Sequence, residues 1–84
     1  MDKKNIVIIG AGNAGETLAS EILTSDENNE YNILCFLDDD ENKKEINIYN
    51  HTIKVEGKVK DIEKIINKYK NDNIELEEII IAIP

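Results

Sequence analysis

The chain has 84 residues and a formal charge of −8 at neutral pH, from eighteen acidic against ten basic side chains. Every base is a lysine, so a nucleic-acid backbone or an anionic membrane would meet a repelling surface, and neither is expected as a direct partner. One small domain spanning residues 1–84 is expected, with 40% apolar residues and sixteen isoleucines to supply its core.

A polar lead-in, Asp2–Asn5, gives way to the apolar run Ile6-Val7-Ile8-Ile9 and then to Gly10-Ala11-Gly12-Asn13-Ala14-Gly15. Ala14, Leu18 and Ile22 follow at helical spacing, with Ala19 and Leu23 beside them, and predict a helix from about Ala14 to Leu23 or Thr24. A G-x-G-x-x-G turn between a strand and a helix is the context in which the pattern has a mechanism. Gly10 permits the tight turn, Gly12 lets backbone approach a pyrophosphate, and Gly15 lets the helix pack closely on the strand. The unpaired N–H groups and the positive dipole end of the helix then form an anion site. The alternative is a glycine turn kept only for packing.

Ser25–Glu30 has no apolar residue and reads as a solvated loop. Tyr31–Leu37 is a second strand, apolar enough to be covered on both faces, and Asp38-Asp39-Asp40-Glu41 follow it. Ile46-Asn47-Ile48 and Ile53-Lys54-Val55 alternate and predict a surface hairpin over about residues 46–55, turning near Asn50-His51. Val59, Ile62, Ile65, Ile66 and Tyr69 predict a second helix to about Lys70, broken by Asn71-Asp72-Asn73. Glu78–Ile83 reads as a third buried strand, with Pro84 after it. The fold class is therefore α/β, a Rossmann-like three-layer arrangement with a small parallel sheet in the order βα-β-hairpin-α-β. Its three long strands are expected to form a parallel sheet, most simply in the spatial order third, second, first or its extension. So small a sheet leaves a face and its edges poorly covered, which suggests a fragment of a larger fold or a self-associating chain.

Asp38 lies 23 residues after Gly15, where a dinucleotide-binding domain places the acid that accepts hydrogen bonds from the adenosine ribose. Its charge, and the lack of any arginine, favour NAD over a 2′-phosphorylated cofactor. The aspartate triplet could instead be a solvated turn, and its spacing matches no calcium loop. His51 has no metal-ligating or nucleophilic neighbour in sequence, and Cys35 in mid-strand reads as a small buried apolar residue. A lone cysteine forms no internal disulfide and suits a reducing compartment. With neither a leader peptide nor a membrane span expected, the localisation reads as cytoplasmic. No catalytic set is visible.

Taken together, NIVIIGAGNAGETLASEIL, YNILCFLDDDENK, IYNHTIKVEGKVKDIEKII and EEIIIAIP resemble the N-terminal, CoA-binding-like domain of bacterial nucleotide-sugar dehydratases and epimerases. These enzymes belong to capsular-polysaccharide synthesis and flagellin glycosylation. The resemblance implies a phosphate loop at Gly10, Gly12, Asn13, Ala14 and Gly15, with Asp38 and Asp39 at the ribose. Long members of that family carry membrane helices before this domain and a catalytic Rossmann domain after it. This segment would then bind a nucleotide, NAD before CoA, without being catalytic by itself. It would pair with that missing domain or with another copy of itself. Two alternatives stay open: the chain also resembles the NAD(H)-sensing half of redox-responsive transcriptional repressors, and a CoA-binding regulatory module has a similar outline.

Overall fold

The structure, a computed structural model, describes residues 3–25 and 30–83. Most of the loop expected at Ser25–Glu30, and Asp2 and Pro84, lie outside the described residues. Strand β1 (Lys4–Ile9) runs through the glycine turn into helix α1 (Asn13–Thr24), and β2 (Tyr31–Leu37) follows. A hairpin of β3 (Glu45–Ile48) and β4 (His51–Gly57) leads to a 3-10 turn at Val59–Asp61, helix α2 (Ile62–Asn71) and β5 (Glu78–Ile81).

The five strands form one sheet in the order β3-β4-β2-β1-β5. Strand β1 pairs in parallel with both β2 and β5, β2 pairs in parallel with β4, and only β3–β4 is antiparallel. The expected order of the long strands is therefore corrected: β1 lies in the middle, between β2 and β5. The hairpin is also no separate surface feature. Its second strand extends the sheet beyond β2, with Phe36 opposite Val55 and Leu37 opposite Gly57. That pairing supplies a parallel neighbour to β2, which a three-stranded sheet would have left as an edge. The turn lies one residue earlier than expected, since Ile48 pairs with His51 and Tyr49 takes a φ of 53°.

Alternation along β1 separates two cores. Ile6 and Ile8 pack on one side with Ala19 and Ile22 of α1, Phe36, and Ile46, Ile48 and Ile53 of the hairpin. Val7 and Ile9 pack on the other with Cys35, Leu37, and Ile65 and Tyr69 of α2. These four of the six β1 side chains are buried because the sheet is covered on both faces there. The face α1 buries is Gly15, Ala19 and Ile22, one residue round from the Ala14–Leu18–Ile22 stripe, because the helix must sit against the glycine turn itself.

Helix α2 ends in a Schellman arrangement. The Ile74 N–H donates to the Tyr69 carbonyl at 2.8 Å and the Asn73 N–H to that of Lys70 at 3.0 Å, with Asn73 at a φ of 62°. Its N-terminus is braced by Asp61, whose carboxylate accepts the Lys58 N–H at 2.9 Å.

The third strand is shorter and more open than expected, and it is not buried. Strand β5 stops at Ile81, and Ile79, Ile81 and Ile83 are 40%, 69% and 62% exposed. Among the described residues it pairs with β1 alone and forms the sheet edge, so Ile79 and Ile81, level with Val7 and Ile9 on the face that α2 covers, are left open to solvent.

Candidate functional site

The chain leaves β1 for α1 on one face of the sheet and reaches β5 through α2 on the other. The carboxyl ends of β1 and β5 therefore flank a topological switch point, where open α/β sheets place their ligand crevice. A cleft of about 260 Å³ lies there, lined by Gly10, Gly12, Asn13, Asp38 and Asp39 together with apolar atoms of Leu37, Val59 and Ile83. Five of the seven residues expected at the site thus share one cleft. Ala14 and Gly15 do not line it; they sit behind the turn, half-buried and buried.

The three glycines differ in what holds them. Gly10 has a φ of +107°, and a Cβ there would lie 2.6 Å from the Ala82 carbonyl oxygen of β5's end. A Cβ on Gly15 would fall 1.8 Å from the Gly10 carbonyl oxygen, so α1 touches the turn backbone to backbone. Both are required by the fold. Gly12 is not: its φ is −84°, open to any residue, and a Cβ there would meet nothing within 4 Å. Gly12 is also the N-cap of α1 without a side-chain cap, and its carbonyl accepts the Glu16 N–H at 2.9 Å. The N–H groups of the first turn consequently have no intrahelical acceptor, and of its residues Asn13 lines the cleft.

The tip of β2 fastens the glycine turn. The Gly10 N–H donates to the Leu37 carbonyl at 2.8 Å, and the Ala11 N–H donates to Asp38 Oδ2 at 2.7 Å. Asp38 Oδ1 accepts the Asp40 N–H at 2.8 Å, and Asp39 Oδ1 accepts the Val59 N–H at 3.0 Å. The bonds from Ala11 and Asp40 hold the Asp38 carboxyl below the usual carboxylate range, against a smaller opposing effect of burial. No lysine lines this cleft. The positive end of the α1 dipole at Gly12 and Asn13 thus shares the cleft with the carboxylates of Asp38 and Asp39.

Away from the cleft, Tyr69 Oη donates to Glu56 and lies 3.2 Å from the Leu34 carbonyl, while Lys68 pairs with Glu56 from the outside. Sequence reading missed this cluster. Twelve and thirteen residues separate the partners, and only the packing of α2 across β4 brings them together. Cys35 lies buried beneath it; burial, and then the Glu56 charge, push its thiol up to about 12, so it is protonated and inert at neutral pH. The contributions of Val59 and Ile83 to the cleft were also not visible, since the spacing of Val59 assigned it to a helix core. Among the described residues no group of three His, Cys, Asp or Glu side chains is placed to hold a metal. No helix among them is long and apolar enough to cross a membrane.

The chain is 36% identical over all of its 84 residues to the capsular polysaccharide biosynthesis protein CapD of Staphylococcus aureus. It spans only 13% of that protein's length. No family model matches the chain, and no solved structure matches it. The chain is therefore an α/β, Rossmann-like unit similar to one short region of a capsular polysaccharide biosynthesis protein.

Proposed function

We propose that this chain is the nucleotide-binding domain, for NAD, of a polysaccharide- or glycan-biosynthesis protein of the nucleotide-sugar dehydratase and epimerase type. The observation that carries the reading is Gly12. Backbone strain explains Gly10 and close packing explains Gly15, but neither explains a glycine that opens onto the cleft at the start of a helix. A ligand that must touch backbone there does explain it. The likeness to CapD supports polysaccharide biosynthesis over the repressor alternative.

The pyrophosphate sits over Gly12 and Asn13, and the adenosine ribose lies toward Asp38 and Asp39. Leu37, Val59 and Ile83 offer an apolar wall for the base. The cleft's volume, about 260 Å³, falls below the roughly 300–1,000 Å³ of pockets that enclose whole ligands. It suits one half of a dinucleotide, with the other half outside. Inside the cleft, extra phosphates on the adenosine of NADP or CoA would meet two aspartates, the lysines Lys43, Lys44 and Lys58 lining the neighbouring depression instead, so NAD is preferred. The domain binds and does not catalyse; chemistry in the parent protein belongs to other residues.

Isothermal titration of the chain with NAD, NADP, CoA and a UDP-sugar tests this directly. NAD is expected to bind, with NADP and CoA at least tenfold weaker. Gly12→Val is expected to abolish NAD binding while leaving the circular dichroism spectrum intact. An absence of heat with all four ligands, or undiminished binding by the valine variant, would remove the cofactor assignment and leave the fold.

A further inference from the structure

Resting on the nucleotide-binding reading, the geometry points to a division of labour between the two cleft aspartates: Asp38 is a positioning residue that holds the glycine loop in shape, and Asp39 is the acid that meets the ribose hydroxyls. Both Asp38 oxygens are already engaged, Oδ2 by the Ala11 N–H at 2.7 Å and Oδ1 by the Asp40 N–H at 2.8 Å. The backbone around Asp38 is fixed as well, its own N–H donating to the Gly57 carbonyl at 2.9 Å. Asp38 thus joins β4 through its backbone, and the acidic turn and the loop between β1 and α1 through its carboxylate. Ala11, which it holds, is 1% exposed and directly precedes Gly12. A shift of Ala11 therefore displaces the N–H groups that would face a phosphate.

Asp39 is placed differently. It is exposed and lines the same cleft, and its Oδ1 accepts the Val59 N–H at 3.0 Å. That bond sets the side chain's direction and leaves the carboxylate at the solvent-facing mouth, where a ribose edge can reach it. The low pKa of Asp38 supports its share of the assignment, because the bond from Ala11 is its first cause. A carboxylate whose charge is satisfied by two backbone N–H groups offers less to a third donor.

The test is a double-mutant cycle in which ADP and 2′,3′-dideoxy-ADP bind to the full chain and to Asp38→Ala, Asp38→Asn and Asp39→Asn. The Asp38 changes are expected to weaken both nucleotides by the same factor, about tenfold or more, the scale of one lost charge-assisted hydrogen bond. Asp39→Asn is expected to weaken ADP and to leave dideoxy-ADP unchanged. Amide hydrogen exchange at Ala11 and Gly12 provides a ligand-free readout, with protection expected to fall in both Asp38 variants and to persist in Asp39→Asn. An Asp38 effect seen with ADP and lost with dideoxy-ADP would make Asp38 the ribose acid and overturn the assignment. Equal effects of Asp39→Asn on both nucleotides would overturn its second half. If the unmodified chain binds neither nucleotide, the nucleotide-binding reading fails and the ribose role falls with it. The loop-holding role would then stand or fall on the exchange of Ala11 alone.

Discussion

Glycine by glycine, the G-x-G-x-x-G turn separates requirements of folding from requirements of function. Gly15→Ala drives a methyl group into the Gly10 carbonyl, a backbone atom that cannot move aside cheaply. A loss of about 1–3 kcal/mol or more is expected, on the overpacking scale, read as a lower midpoint in urea unfolding. Gly12→Ala has open space and an ordinary φ. The unfolded chain's lost freedom favours alanine by about 0.4–1 kcal/mol, and the poorer helix N-cap opposes it by a similar amount, so stability is expected to stay within about 1 kcal/mol while NAD weakens. A loss of affinity without a matching loss of stability at one residue would be hard to obtain from a turn that only packs. A matched loss of both would count against the ligand.

At the scale of elements, α2 is fastened to the sheet by polar as well as apolar contacts. Burial raises the Glu56 carboxyl's pKa, but hydrogen bonds from Lys68 and Tyr69 outweigh it and hold the group below the ordinary range. Its folded pKa is thus lower than its unfolded one. The stabilisation it gives is fully present above the unfolded carboxylate value of about 4.3 and is lost as pH falls through the folded value. Thermal unfolding between about pH 6 and pH 3 is expected to show a declining midpoint in the unmodified chain and a shallower decline in Glu56→Gln, with Asp38 supplying part of the residual slope. At neutral pH, Tyr69→Phe should cost about 1 kcal/mol, the scale of a partly buried hydrogen bond. A pH profile identical in the glutamine variant would show that the Tyr69–Glu56–Lys68 cluster contributes nothing to α2 docking.

For the molecule as a whole, the two sides of the sheet are unequally covered. Helix α1 packs over one face, sharing a core with β1 and the hairpin strands, whereas α2 lies on the other and leaves Ile66, Ile79 and Ile81 partly or largely in water. An apolar edge strand with unpaired backbone groups is a template for association. Sedimentation is accordingly expected to show concentration-dependent association of the isolated chain, reduced by Ile81→Lys, a residue already 69% exposed. That substitution should shift stability by less than about 0.5 kcal/mol. A chain that stays monomeric at several hundred micromolar would show that charge repulsion, at −8, is enough to keep this edge apart.

Much of this was already written in local sequence. The first helix, the second strand and the glycine turn follow from short-range periodicity and the φ demands of glycine, and they appear within a residue of where the pattern puts them. The acid at the tip of β2 follows too, because strand length fixes where the tip falls. Strand order, the incorporation of β4 and the exposure of β5 were decided only by tertiary structure. An apolar run such as Glu78–Ile83 reads the same at a sheet's centre as at its edge, since its neighbours are chosen by long-range packing. The contacts Ala11–Asp38, Asp39–Val59 and Tyr69–Glu56 depend on the same choice, which no local spacing encodes.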